Sequence, residues 1–180
     1  MAHVLAVSAS PSVVSRTAAV LDLATAALRV AGHSVDLLAL REIPAQPLLH
    51  NDQNHPALWD AADRLERADA VILGTPVYKS AYSGLLKVWL DSIGRYALAG
   101  RAVLALVTGA SVTNPQDVDH ALLPVLAAAG DPLVLPGVFV LDRAITVGDG
   151  VVLDAQARAD LDDAISRLAN ALARVRPAAA

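Results

Sequence analysis

The sequence predicts a doubly wound α/β fold, in which helices cover both faces of a parallel sheet. Five short apolar runs rich in β-branched residues alternate with longer segments of helical spacing. Apolar residues are continuous within each run, which is typical of strands buried on both faces. The regular alternation of strand and helix predicts successive βαβ units. The predicted strands are Val4–Val7, Val35–Leu40, Ala70–Leu73, Ala102–Val107 and Leu133–Leu141.

Length and composition favour one globular domain. The chain has 180 residues, of which 55% are hydrophobic and 18% charged, and its formal net charge is −4. We expect a single domain over residues 1–176 and a frayed tail at 177–180. The acidic excess argues against nucleic-acid binding, and no apolar run approaches the ~20 residues that span a bilayer. Without cysteine, and without a basic segment before the apolar N-terminus, the chain is expected to be cytoplasmic.

Five helices complete the predicted pattern. The first is expected to start after Ser15 as N-cap and to end at Gly32. Pro124 lies inside the fourth, where the missing N–H predicts a local distortion. The predicted helices cover about Thr17–Ala31, Pro56–Arg67, Ser83–Ile93, Asp117–Ala129 and Ala155–Val175. This set of elements fits a flavodoxin-like three-layer sandwich with five parallel strands in the order 2-1-3-4-5. Its ligand crevice lies at the carboxyl ends of strands 1 and 3.

Hydroxyl side chains and one arginine follow the first strand. The segment S-A-S-P-S-V-V-S-R-T leads directly into the first predicted helix, and its polar residues are Ser8, Ser10, Ser12, Ser15, Arg16 and Thr17. Because a helix N-terminus presents unpaired N–H groups and a partial positive charge, this segment predicts a phosphate site. The patterns of NTPases and dinucleotide-binding loops are absent, so a flavin mononucleotide (FMN) phosphate fits better. An ordinary loop with a capping serine is the alternative.

A turn with two tyrosines follows the third strand. The segment G-T-P-V-Y-K-S-A-Y-S-G-L-L-K contains Tyr78 and Tyr82, two of the three tyrosines in the chain. Loop N–H groups at such a position can bind the edge of a flat heteroaromatic ring while apolar side chains cover its face. Lys79 adds a positive charge, and Ser83 is expected at the start of the next helix. The alternatives are boundary packing for the tyrosines and simple solvent exposure for Lys79.

The segment after strand 3 resembles the signature of the NADPH-dependent FMN reductases of the flavodoxin-like superfamily. The resemblance is greatest to the SsuE-type reductases of two-component alkanesulfonate and methanesulfonate monooxygenase systems. It continues through A-S-P-S-V-V-S-R-T near the start, and through matching segments at Ala97–Gly109, Val118–Leu126 and Gly137–Val140. It implies an oxidoreductase that transfers hydride from NADPH to FMN and supplies reduced FMN to a partner monooxygenase.

The resemblance also implies which residues bind the cofactors. In this family the loop after strand 1 holds the FMN phosphate, the segment P-V-Y lies against the flavin ring, and a T-G-G segment after strand 4 approaches its pyrimidine end. Here Ala110 replaces the second glycine, and Arg16 is also a candidate for the 2′-phosphate of NADPH. Hydride passes directly between the cofactors, so no catalytic side chain is expected. The candidate cofactor-binding residues are Ser8, Ser10, Ser15, Arg16, Thr17, Pro76, Val77, Tyr78, Lys79, Ser83, Thr108, Gly109, Ala110 and Ser111.

His120 lies where SsuE-type reductases often carry an inserted residue that forms a π-bulge at the subunit interface. The resemblance implies a role in flavin exchange, and a surface or interface histidine without a special role is the alternative. The other histidines lack H-x-x-x-H and H-E-x-x-H spacing, so no metal site is expected.

Two other functions remain open from the sequence. A quinone or azo-compound reductase of the same fold would keep FMN tightly bound and reduce a second substrate. A flavodoxin-like electron carrier would bind FMN without enzymatic activity, but such carriers are usually strongly acidic and rich in aromatic residues around the flavin. A net charge of −4 and 3% aromatic residues favour a reductase. The apolar composition, together with the resemblance, predicts a homodimer or homotetramer with the third and fourth helices at the interface.

Overall fold

The computed structural model describes residues 1–111, 115–148 and 150–175 and contains a mainly parallel sheet. The strands are β1 (His3–Ser8), β2 (Ser34–Ala39), β3 (Ala70–Tyr78), β4 (Ala81–Tyr82), β5 (Ala102–Gly109), β6 (Leu133–Leu141), β7 (Ile145–Val147) and β8 (Val151–Leu153). The parallel strands are ordered β2-β1-β3-β5-β6, while β4 pairs antiparallel with β3. The strands β7 and β8 form a separate hairpin.

Helices cover both faces of this sheet. They are α1 (Arg16–Val30), α2 (Ala45–His50), α3 (Pro56–Arg67), α4 (Gly84–Ser92), α5 (Pro115–Ala128) and α6 (Ala155–Val175). Successive residues of β1 point to opposite faces, so Val4 joins the core under α1 and α6, and Leu5 joins the core under α3, α4 and α5. This double burial explains why the strand residues are continuously apolar, as the sequence predicts.

The prediction of a five-stranded sheet was wrong by one strand, because β4 extends the sheet to six. Lys79 and Ser80 have φ angles of 52° and 62° and turn the chain back after β3 as a two-residue hairpin. Such a turn usually contains Asn-Gly or a similar pair, so Lys-Ser gave no hairpin signal. With β4 counted, the order is 2-1-3-5-6 rather than 2-1-3-4-5. The five parallel strands taken alone keep the predicted neighbours.

The helix α5 runs through both residues that the sequence singles out in this region. It is α-helical from Pro115 to Ala128 with Pro124 inside it, and it contains no π turn at His120, whose side chain is exposed. The predicted tail at 177–180 lies outside the described residues. In the described part of the chain, no helix combines the length and apolarity needed to cross a bilayer.

Candidate active site

A cleft of about 550 Å³ lies at the carboxyl ends of β1, β3, β5 and β6. Its size is within the range of small-molecule sites in proteins. Parallel strands end at the same edge of the sheet, which brings the loops that follow them together. The lining residues are Ser10, Ser12, Val14, Ser15, Arg16, Thr17, Pro76, Val77, Tyr78, Thr108, Gly109, Ala110, Asp142 and Val147.

The first turn of α1 forms one wall of the cleft and offers hydrogen-bond donors to an anion. Ser15 caps the helix, because its side-chain oxygen accepts from the backbone N–H of Ala18 at 3.1 Å. Within the described ranges, the backbone N–H groups of Arg16 and Thr17 have no acceptor. With the Arg16 guanidinium and the hydroxyls of Ser10 and Ser15, this donor set fits a phosphate monoester.

The loop after β1 is bonded to Ser83, which lies between the end of β4 and the start of α4. The Ser83 hydroxyl donates to the carbonyl of Ala9 at 2.7 Å, and its oxygen accepts from the backbone N–H of Leu86. The backbone N–H of Ser83 donates to the Thr75 hydroxyl at 2.9 Å. Ser83 is therefore buried and bonded within the protein, which makes it an anchor between the two cleft loops.

The segment Pro76–Tyr78 forms a second wall at the end of β3. Pro76 and Val77 are largely buried, whereas Tyr78 is 48% exposed at the rim. Burial raises the pKa of the nearby Tyr82, which keeps this phenol protonated at neutral pH. Pro76 and Val77 make this wall apolar, and the exposed Tyr78 lies at its rim, which suits the face of a flat ring.

A buried pair of hydroxyls joins the first turn of α1 to the end of β5. The side-chain oxygens of Thr17 and Thr108 lie 2.6 Å apart, and each residue is only 2% exposed. One hydroxyl donates to the other, and no acceptor among the described residues takes the proton of the second. The pair couples α1 to β5 across the floor of the cleft.

We expect Thr108→Val to lower the free energy of unfolding by about 1–2 kcal/mol, because the Thr17 hydroxyl loses its buried partner. The double variant Thr17→Val/Thr108→Val should lose less unfolding free energy than the two single variants lose in sum, since neither hydroxyl is then left without its partner. Urea unfolding of the four proteins measures this coupling, and strictly additive losses would contradict it.

The structure brings most of the predicted site residues to one cleft. Ten of the predicted residues line the cleft, namely Ser10, Ser15, Arg16, Thr17, Pro76, Val77, Tyr78, Thr108, Gly109 and Ala110. Ser8 and Ser83 are buried beside the cleft, and Lys79 and Ser111 are exposed outside its lining. An added Cβ at Gly109 would meet the ring of Phe139 at 3.1 Å, so a larger residue there would press on that ring.

Four lining residues were not among the predicted cofactor-binding residues. Ser12 and Val14 belong to the loop after β1, while Asp142 and Val147 follow β6. Asp142 comes directly after the carboxyl end of a parallel strand, and that position was the available signal. Val147 lies in the short β7–β8 hairpin, and the sequence G-D-G at 148–150 between two β-branched runs was the available signal for it.

Two charged side chains line the cleft in the described ranges, Arg16 and Asp142. Their formal charges cancel, and Asp142 has no hydrogen-bond or ion-pair partner in the described part of the chain. Among the residues that the structure covers, no group of three or more His, Asp or Glu side chains is arranged to hold a metal ion.

A family model for NADPH-dependent FMN reductases matches residues 2–146 of this chain. The chain belongs to the NADPH-dependent FMN reductase family. It is similar to the FMN reductase (NADPH) of Escherichia coli, with 38% identity over 79% of this chain and 75% of that protein. The FMN reductase (NADPH) of Pseudomonas putida is 35% identical over 82% of this chain and 75% of that protein.

A solved structure supports the same assignment. The apo form of the NADH:FMN oxidoreductase EMOB is similar to this chain with a TM-score of 0.84 and 30% identity, over 95% of this chain and 90% of that one. The resemblance inferred from the sequence is therefore confirmed, as is the flavodoxin-like α/β fold. This member of the family is an FMN reductase, an oxidoreductase with FMN and NADPH as its ligands.

Proposed function

We propose that the protein transfers hydride from NADPH to FMN in the cleft and then supplies reduced FMN to a partner flavin-dependent monooxygenase. When bound, FMN accepts one hydride from NADPH and one proton from solvent, which yields NADP⁺ and FMNH₂. The observation that carries the proposal is that an anion-binding helix start and an apolar ring-binding wall meet in one cleft. The protein supplies binding and orientation, and the cofactors supply the chemistry.

In this proposal the flavin extends from α1 toward the loop after β5. The backbone N–H groups of Arg16 and Thr17, with the Arg16 guanidinium and the hydroxyls of Ser10 and Ser15, bind the phosphate. The face of the ring lies on Pro76–Tyr78, with its pyrimidine end toward 108–111. Hydrogen-bond donors of that last loop stabilise the negative charge that develops on the reduced ring.

FMN acts as an exchangeable substrate in this proposal. Arg16 and Asp142 give the cleft lining no net side-chain charge, so hydrogen bonds and the helix dipole hold the phosphate dianion. Such a site lacks the excess positive charge that would retain the anion strongly. Exchange of bound flavin is what delivery of reduced FMN to a second enzyme requires.

Self-association and location belong to the same proposal. A homodimer or homotetramer would cover large apolar side chains that are exposed at Tyr96 after α4 and at Leu123 on α5. His120 is exposed on that same helix, and we propose that it lies near this interface and contributes to flavin exchange. NADPH and FMN are intracellular metabolites, so a cytoplasmic location fits.

Steady-state NADPH oxidation, followed at 340 nm with flavin-free protein and varied FMN, tests the function. We expect saturable dependence on free FMN, with NADPH preferred over NADH. Activity that is independent of added FMN but requires a quinone would instead identify a quinone reductase with a resident flavin. If the protein binds FMN but oxidises NADPH with none of the acceptors, the protein is an electron carrier and not a reductase.

A further inference from the structure

The middle of the loop between β1 and α1 is held by one side chain from another element. Arg41 lies in a short 3₁₀ helix, Leu40–Glu42, directly after β2. Its Nη1 donates to the carbonyl of Ser12 at 2.9 Å and to the carbonyl of Val13 at 3.0 Å. We infer that Arg41 is a positioning residue for the FMN phosphate, although it lies outside the lining of the cleft.

The loop has few other attachments at its centre. At one end the backbone N–H of Ala9 donates to the carbonyl of Gly74 at 2.8 Å, and at the other end Ser15 caps α1. Between these ends, Val13 and Val14 are 83% and 84% exposed, so packing does not fix them. The contacts with Arg41 therefore decide the orientation of the two central peptide units.

The backbone that carries Arg41 is fixed by buried neighbours. Its neighbours Leu40 and Ile43 are buried in the core, which fixes the 3₁₀ helix under the loop. Its Nη2 lies 3.5 Å from a carboxylate oxygen of Glu42, and 31% of the Arg41 side chain is exposed. The guanidinium is thus held between the body of the protein and the loop.

The planarity of the peptide bond gives these contacts a consequence for the ligand. In a trans peptide the carbonyl and the following N–H point in opposite directions. With the carbonyls of Ser12 and Val13 turned toward Arg41, the N–H groups of Val13 and Val14 point away from it. Neither N–H has an acceptor in the described part of the chain, and the loop borders the cleft through Ser12 and Val14. Arg41 thereby presents two further donors to the phosphate, and it keeps the carbonyl oxygens away from that anion.

This inference rests on the proposed phosphate position at α1, and comparison of FMN with riboflavin, which lacks the phosphate, tests it. We expect Arg41→Ala to raise the dissociation constant for FMN about tenfold, the equivalent of one hydrogen bond to a charged group. The dissociation constant for riboflavin should stay within about twofold of the original protein. Titration of flavin fluorescence with flavin-free protein measures both constants.

Two further variants and one ligand-free readout complete the test. Arg41→Lys keeps the charge but replaces the planar guanidinium by a single ammonium nitrogen, so we expect an intermediate FMN affinity. Arg67→Ala removes an exposed arginine paired with Asp63 on α3 and should leave both affinities unchanged. Without ligand, elastase should cut the loop near Val13 and Val14 faster in Arg41→Ala, with an unchanged unfolding temperature.

The possible outcomes distinguish a failure of the role of Arg41 from a failure of the proposed phosphate position. The original protein should bind FMN more tightly than riboflavin. If Arg41→Ala leaves this preference intact, or raises both dissociation constants by the same factor, Arg41 does not position the phosphate site. If the original protein binds FMN and riboflavin equally, the phosphate position at α1 is wrong, and the role of Arg41 fails with it.

Discussion

Replacement of Arg16 by alanine will raise the KM for FMN about 10- to 100-fold and leave kcat at saturating FMN nearly unchanged. A charge-assisted hydrogen bond to a phosphate contributes about 1.5–3 kcal/mol, and each 1.4 kcal/mol corresponds to a factor of ten. Arg16 lies at the start of α1, away from the apolar wall proposed for the flavin ring. Its loss should therefore weaken substrate binding without changing the hydride-transfer step.

Two comparisons make the Arg16 result specific. Arg95→Ala, which removes an exposed arginine outside the cleft, should leave the KM for FMN unchanged. The preference for NADPH over NADH should also survive Arg16→Ala if this residue binds FMN. If the variant loses that preference and keeps its KM for FMN, Arg16 binds the 2′-phosphate of NADPH instead.

Gly130→Ala will destabilise the protein by about 3 kcal/mol or more, the largest stability effect that we expect from a single added methyl group. Gly130 follows α5 with a φ of +121°, a conformation that residues with a side chain rarely adopt. An added Cβ would lie 2.7 Å from the backbone nitrogen of Ala99, and this backbone atom cannot move aside like a flexible side chain.

Thermal unfolding provides the measurement for Gly130→Ala. For a chain of this size, about 3 kcal/mol corresponds to a fall in Tm of roughly 6–12 °C. Gly94→Ala is the matched control, because its added Cβ meets no atom within 4 Å and its φ is not positive. Equal Tm values for the two variants would show that the loop before β5 and the end of α5 adjust to the extra atom.

The parallel sheet and most of the cleft could be predicted because their signals are local. A run such as Ala102–Val107 is apolar at every position, which indicates a strand buried on both faces wherever its neighbours lie. Pro56 suits the first turn of a helix, and α3 has the predicted bounds Pro56–Arg67. Once the strands were placed, the rule that parallel strands end at one edge brought Thr17 and Thr108 together.

Other features depend on contacts between distant positions. The sequence shows Ser83 only as a helix start, and its bond to Ala9 connects residues 74 positions apart. Lys79 was among the predicted cofactor-binding residues, whereas in the structure it is an exposed turn residue outside the cleft lining. Nothing in the sequence links Arg41 to the loop after β1.

The sequence by itself determined the class of fold, the family and the two loops that form the candidate site. These follow from apolar periodicity and from motifs in which neighbouring residues act together. The tertiary structure alone decided which hydroxyls are used inside the protein and that Arg41 holds the loop after β1. The physical reason is that a hydrogen bond requires two groups to meet at about 3 Å, and the fold decides which distant groups do so.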